Sequence, residues 1–217
     1  MTQTDTLAAA IVARAGDAPR VLVAIAGPPG AGKSTVAGRL CAALPAAAVV
    51  PMDGFHYDDS VLERRGLRQR KGAPDTFDFG GFAALLGRLR AGEPGVAVPV
   101  FDRSLELSRA GAAIVDAGTR FVLVEGNYLL LDEEPWSGLA GLFDLTVFID
   151  VPRTELRRRL MERWHHHGKT DEQARAWIDG NDMPNIERVL ARSRRADLVV
   201  SHRASGDAVE SGAVPAG

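Results

Sequence analysis

A single cysteine, Cys41, is all that 217 residues contain, which excludes an internal disulfide and any cysteine-rich metal site. Set in an apolar repeat after a glycine-rich stretch, it reads as a small core residue. An excess of positive charge is missing too. The 26 lysines and arginines stand against 28 acids, a formal net charge of -2, so no basic field exists to hold nucleic acid. No apolar run approaches the roughly 18 residues of a membrane span. The N-terminal "MTQTDTLAAAIVARAG" carries an acid and lacks the basic start, long apolar core and cleavage site of a secretion signal; the expected location is the cytoplasm. Internal repeats are absent, as are the guanine-reading Asn-Lys-x-Asp segment and the Leu-Ser-Gly-Gly signature of transporter ATPases.

The remaining composition, 46% hydrophobic and 25% charged, is that of an ordinary soluble domain. One α/β domain over residues 1–202 is expected, with a disordered tail over 203–217. Short β-branched and apolar runs at 20–26, 46–53, 119–126, 145–151 and 197–201 read as buried strands. Between them lie helical stretches at 5–15, 33–44, 56–71, 79–92 and 153–167, then a helical region over 171–193 interrupted near "GNDMPN". Residues 95–108 read as paired short strands or a loop. Continuous apolar strands alternating with helices predict a mainly parallel sheet covered on both faces.

"GPPGAGKST", Gly27 to Thr35, follows the first of these strands and opens a helix, the context a phosphate loop requires. Gly27, Gly30, Ala31 and Gly32 supply backbone N–H groups around a β-phosphate at the positive end of a helix. Lys33 reaches the β- and γ-phosphates, Ser34 offers a hydroxyl to Mg²⁺, and Thr35 is a further contact nearer the α-phosphate. The expected ligand is ATP with Mg²⁺. Glu125, at the carboxyl end of "FVLVEG", is either a second holder of the metal or a strand-terminal acid that caps a turn. Asp53 ends a strand expected to neighbour the phosphate-loop strand. It is either the general base that takes the proton of an attacking hydroxyl or part of a simple Asp-Gly turn. The basic helix "RTELRRRLMERWHHHGK" is either a solvated face or a lid over the phosphates, spanning about 153–182. His165 to His167 cannot form a metal site, because consecutive helical residues point about 100° apart.

With "GPPGAGKST", "MDGFHYD", "RKGAPDTFD", "PVFDR", "VEGNYLLL" and "RRRLMERW" in this order, the chain resembles the superfamily of phosphoribulokinase, uridine kinase and type I pantothenate kinase over roughly residues 20–200. The resemblance implies a three-layer α/β/α P-loop kinase fold with a helical lid, and ATP as donor. It implies Asp53 as catalytic base beside Lys33, Glu125 near Mg²⁺, Arg157 as a catalytic lid group and Arg159 as a nucleotide contact. It further implies that Asp78 and the Phe101-Asp102 pair line the acceptor pocket, where Asp53 and Glu106 join them, with His56 and Arg103 nearby. That set is rich in hydroxyl acceptors and favours a neutral polyol. Where uridine kinases carry a tyrosine-aspartate pair followed by histidine, this chain has Phe101-Asp102 and then Glu106. Compact superfamily members with similar segments include fructose transport system kinase-like proteins, so the leading acceptor is a sugar. Pantothenate and uridine are the alternatives, and a regulatory NTPase or a nucleotide-binding module without turnover the readings from another class. Homodimers are common in the superfamily, and the expected partner is a small hydroxyl-bearing metabolite.

Overall fold

The computed structural model describes residues 2–201 and 208–211. In chain order the elements are α1 (Gln3–Ala15), β1 (Val21–Ala26), α2 (Lys33–Ala43), β2 (Ala47–Pro51), α3 (Asp59–Arg64), α4 (Phe79–Arg90), β3 (Val96–Asp102), β4 (Leu107–Val115), β5 (Phe121–Gly126), β6 (Leu145–Asp150), α5 (Arg153–His166), α6 (Asp171–Trp177), α7 (Met183–Arg192), β7 (Leu198–Ser201) and β8 (Ala208–Ser211).

Six strands form one sheet in the order β2-β5-β1-β6-β7-β8, and β3 pairs with β4 in a separate hairpin. All pairings within the sheet are parallel except the last. Every residue of β1 and β5 is buried, as strands covered on both faces must be. Alternate side chains serve opposite layers. Leu22, Ala24 and Ala26 join Val122 and Val124 against α4 and an aromatic cluster. Val21, Val23 and Ile25 join Phe121 and Leu123 against α1, α2 and α5. The result is the three-layer α/β/α sandwich expected from the alternating pattern.

Four details differ from the sequence reading. β2 pairs with β5, not with β1, so the strand of Glu125 lies between the phosphate-loop strand and the Asp53 strand. Local apolar pattern identifies a buried strand but carries nothing about which strand lies beside it. The stretch 56–71 holds only one short helix, α3; the remainder is 3₁₀ turns and loop, because Gly66, at φ 69°, takes the left-handed conformation that stops a helix. The region 171–193 is not interrupted. A π-turn over Ile178–Asp182 joins α6 to α7, and Ile178, Asp182 and Met183 all keep right-handed helical dihedrals. Pro184 has no N–H for the regular ladder, and the wider turn before it absorbs that loss. Finally, part of the tail expected to lack order is a strand: β8 caps β7 in antiparallel register, Val200 opposite Val209, covering an edge that would otherwise leave backbone groups unpaired. The rest of that tail lies outside the described residues.

Gly54 ties the hairpin to the sheet. A Cβ at this position would lie 2.2 Å from the Pro99 carbonyl oxygen of β3, so only glycine lets β3 cross the turn that carries Asp53. Gly54→Ala is expected to cost about 1–3 kcal/mol through overpacking, read as a lower midpoint in denaturant unfolding. An unchanged midpoint would show that the hairpin yields at no cost.

Candidate active site

The carboxyl ends of the sheet strands open into one cavity of about 700 Å³. Its floor is the loop between β1 and α2. Gly32 caps α2 with φ 89°, a left-handed conformation that a side chain would strain, and this turns the first N–H groups of the helix toward the cavity. Gly30, Gly32, Lys33, Ser34 and Thr35 line the cavity. Ala31 is buried, with its side chain in the core. Gly27 sits at the base of the loop, where a Cβ would meet the Ile149 carbonyl oxygen at 2.9 Å.

Lys33 is buried, and its Nζ donates to the Pro28 carbonyl (3.1 Å) and to Asn127 Oδ1 (2.6 Å). Burial pulls its pKa below the ordinary lysine value, against the opposing pull of Glu125 and Asp53. Ser34 Oγ donates to Glu125 Oε1 at 2.9 Å. Burial, reinforced by Asp53, raises the Glu125 carboxyl, while Lys33 and Ser34 hold it down. A hydroxyl and a buried carboxylate side by side are hard oxygen donors suited to Mg²⁺, which takes few protein ligands and fills its shell with phosphate and water. No cluster of three or more His, Cys, Asp or Glu side chains placed to hold a metal ion occurs among the described residues.

Asp53 stands in the 3₁₀ turn that ends β2. Its Oδ2 accepts from Arg103 Nη2 at 2.7 Å, which leaves Oδ1 free of that bond. Burial alone would raise this carboxyl, but His56, Arg103 and Lys33 outweigh it, and the balance lies below the ordinary aspartate value. Asp53 is therefore ionised at neutral pH and able to take a proton. His56 lies beside it, between the rings of Phe77 and Phe101 (4.0 and 4.9 Å between centroids). Its Nδ1–H donates to the Asp53 carbonyl at 2.8 Å, and burial lowers its pKa against the pull of Asp53.

On the far side, α5 runs from the sheet over the phosphate loop. Leu156 and Leu160 anchor it in the core. Arg159 Nε donates to Glu155 (2.7 Å) and Nη1 to the Ala31 carbonyl (3.3 Å), which brings the guanidinium to the loop. Arg163, one turn on, lines the same cavity. Burial and the neighbouring Arg103 lower its pKa, and Asp53, Asp182 and Glu106 counter them.

A family model described as "Phosphoribulokinase / Uridine kinase family" matches residues 22–208. The chain belongs to this family. It is accordingly an ATP-dependent kinase. The "Uncharacterized protein YggC" of Escherichia coli (strain K12) is 39% identical over 193 residues, 86% of this chain and 80% of that protein. A "Putative uridine kinase" of Schizosaccharomyces pombe is 33% identical over 198 residues, 83% of each chain. Among solved structures, that of a "putative fructose transport system kinase" from Silicibacter sp. TM1040 superposes with a TM-score of 0.87 at 42% identity, covering 92% of this chain and 99% of that one.

Within this kinase several residues sit elsewhere than the sequence suggested. Asp78 is not in the cavity; it caps α4, its carboxylate accepting from Gly81 N–H at 2.9 Å. Asp102 is likewise spent on structure: its Oδ1 accepts from the hydroxyl and N–H of Ser104 (2.6 and 3.1 Å) in the hairpin turn, with Arg109 3.4 Å from Oδ2. Both acids precede residues whose N–H groups need a partner, the local bonding that favours aspartate at caps and turns. Arg157 pairs with exposed Asp179 at 2.6 Å. It lies two residues from Arg159, about 200° around the helix, and so faces away from the cavity that Arg159 and Arg163 share. Arg163→Ala is expected to lower phosphoryl transfer at least ten times more than Arg157→Ala, out of a total loss of about 10²-fold for an electrostatic donor in such a site. Steady-state kinetics on the two variants checks this, and a larger loss for Arg157→Ala would reverse the assignment.

His56, Arg103 and Glu106 do line the cavity. So do residues that the sequence reading left without a role. Lys71, 9% exposed, bonds Asp59 (2.7 Å) and Glu106 (3.2 Å). Asn127 holds Lys33. Asp182 and Asn185 enter from the π-turn and the start of α7. Lys71 and Asn127 fall inside quoted motifs, "RKGAPDTFD" and "VEGNYLLL", and their immediate neighbours marked them. Nothing local marked Asp182, whose position depends on the π-turn.

Proposed function

We propose that the enzyme transfers the γ-phosphoryl group of ATP to a hydroxyl of a small metabolite, with a sugar of the fructose type as the leading acceptor. The observation that carries this reading is Asp53: an ionised carboxylate, bound on one oxygen by Arg103, facing the same cavity as Lys33 of the phosphate loop. An acceptor hydroxyl donates to the free Oδ1 of Asp53. As its oxygen bonds to the γ-phosphorus and the bond to the β,γ-bridging oxygen breaks, the proton passes to Asp53 and ADP leaves. Lys33, Arg159 and Arg163 offset the charge that spreads over the transferring group. Ser34 and Glu125 would hold Mg²⁺, whose contribution there is to neutralise charge on the β- and γ-phosphate oxygens.

The helices α5 and α6 with their connecting turn act as the lid in this reading. No helix among the described residues is long and apolar enough to cross a membrane; a cytoplasmic location and homodimeric assembly belong to the proposal alone. The fructose assignment draws on the Silicibacter relative, and uridine and pantothenate remain the competing acceptors. A phosphorylation screen over hexoses, pentoses, nucleosides and pantothenate tests it. Transfer to a hexose is the expected result, and transfer only to pantothenate or uridine would replace the acceptor.

A further inference from the structure

The acids expected to receive an acceptor, Asp78 and Asp102, are consumed by a helix cap and a hairpin turn, yet the cavity holds a carboxylate besides Asp53, Glu106 and Glu125. Asp182 and Asn185 are 9% and 7% exposed, and both line the cavity. The π-turn is what puts them there: one extra residue in the turn shifts the helical register, and such turns recur at functional sites. The Asp182 Oδ2 accepts from the Trp164 indole N–H at 2.7 Å. Its other oxygen has no hydrogen-bond or ion-pair partner among the described residues. Asn185 has only a long 3.5 Å bond from Nδ2 to Asn181, so its carbonyl oxygen also lacks a donor. Asp53, Arg163 and Asp182 all line the same cavity.

Both free oxygens belong to side chains of the cavity wall, where a ligand can reach their lone pairs. A carboxylate oxygen can only accept and an amide can do both, a pair matched to two neighbouring hydroxyls. Burial raises the Asp182 carboxyl to about 6 against the pull of Trp164 and Arg163. Trp164 and Trp177, also at the cavity wall with Lys169 5.2 Å from each ring centroid, close this end with aromatic surface.

We propose that Asp182 and Asn185 form the acceptor-recognition subsite and that they bind a neutral vicinal diol of a polyol or sugar. This rests on the kinase reading above for the direction from which the acceptor enters, and deepens it by naming the groups that choose the acceptor. The test is tryptophan fluorescence of the full chain, loaded with a non-transferable ATP analogue and titrated with D-fructose, D-ribose, sorbitol and 2-deoxy-D-ribose. At least one diol should change the emission. Asp182→Asn and Asn185→Ser should each weaken that binding by about 10-fold or more, the size of a hydrogen bond to a charged or buried group. Affinity for the ATP analogue should persist in both. The losses should shrink for a deoxy analogue that lacks one hydroxyl of the pair, a selectivity that a merely structural role would not produce. The proposal falls if none of the diols binds the wild type, or if both variants bind them as the wild type does. A diol that binds yet is never phosphorylated would sink the sugar-kinase reading and leave this subsite standing. Transfer to pantothenate alone would sink both the sugar acceptor and this subsite and leave only the general kinase reading standing.

Discussion

Asp53→Asn is expected to lower phosphoryl transfer by about 10²-fold or more, the usual size of a general-base contribution, while ATP binding stays near that of the wild type. The change is isosteric and keeps an acceptor for Arg103, which donates to Oδ2 at 2.7 Å. What it removes is the charge that can take the proton of the acceptor hydroxyl. Because His56, Arg103 and Lys33 hold the carboxyl below its ordinary value, the wild-type base is ionised throughout the neutral range. No loss of activity from protonation of Asp53 is therefore expected until the pH falls into or below the ordinary aspartate range. Calorimetric ATP binding beside steady-state kinetics separates the two effects. Undiminished turnover would remove Asp53 from the chemistry.

Lys33→Ala is expected to act on both quantities. The ammonium is the cation at the head of α2, held by Asn127 and the Pro28 carbonyl beside the phosphate positions. Its loss should weaken ATP binding and lower kcat/KM by about 10³-fold, the upper size for removal of one preorganised electrostatic donor. The same variant tests whether Lys33 acts as a charge: restoring a cation with Lys33→Arg should recover little, because a planar fork cannot occupy a buried point-charge position. Wild-type kinetics in Lys33→Ala would undermine the phosphate-loop assignment.

The sheet and the donor half of the site were legible because both depend on local pattern. Continuous apolar runs mark buried parallel strands, and the glycine spacing of "GPPGAGKST" matters only within one strand-loop-helix unit. Ser34 and Glu125, 91 residues apart, could be paired in advance because each sits at the carboxyl end of its strand or in the loop beyond it, and in an open parallel sheet these ends meet. The acceptor half was not legible to the same degree. Asp78 and Asp102 are acids in the right neighbourhood whose lone pairs go to the nearest unsatisfied N–H groups. Strand order was also out of reach, which is why Asp53 was expected beside the phosphate-loop strand when β5 lies between them. On α5, a cluster of arginines gives no facing until the core anchors Leu156 and Leu160 are known; these then turn Arg159 and Arg163 inward and Arg157 outward. Asp182 needed most of all: its place depends on a π-turn that Pro184 favours but does not dictate.

A single reaction tests the central claim, that the cavity joins a phosphate donor to a hydroxyl acceptor. Wild-type enzyme is incubated with ATP and a hexose, and ADP, inorganic phosphate and phosphorylated acceptor are counted together. The account predicts one phosphorylated acceptor for each ADP, with little inorganic phosphate and little ADP when the acceptor is omitted. ADP and inorganic phosphate formed in equal amounts, at a rate indifferent to every hydroxyl compound offered, would contradict it.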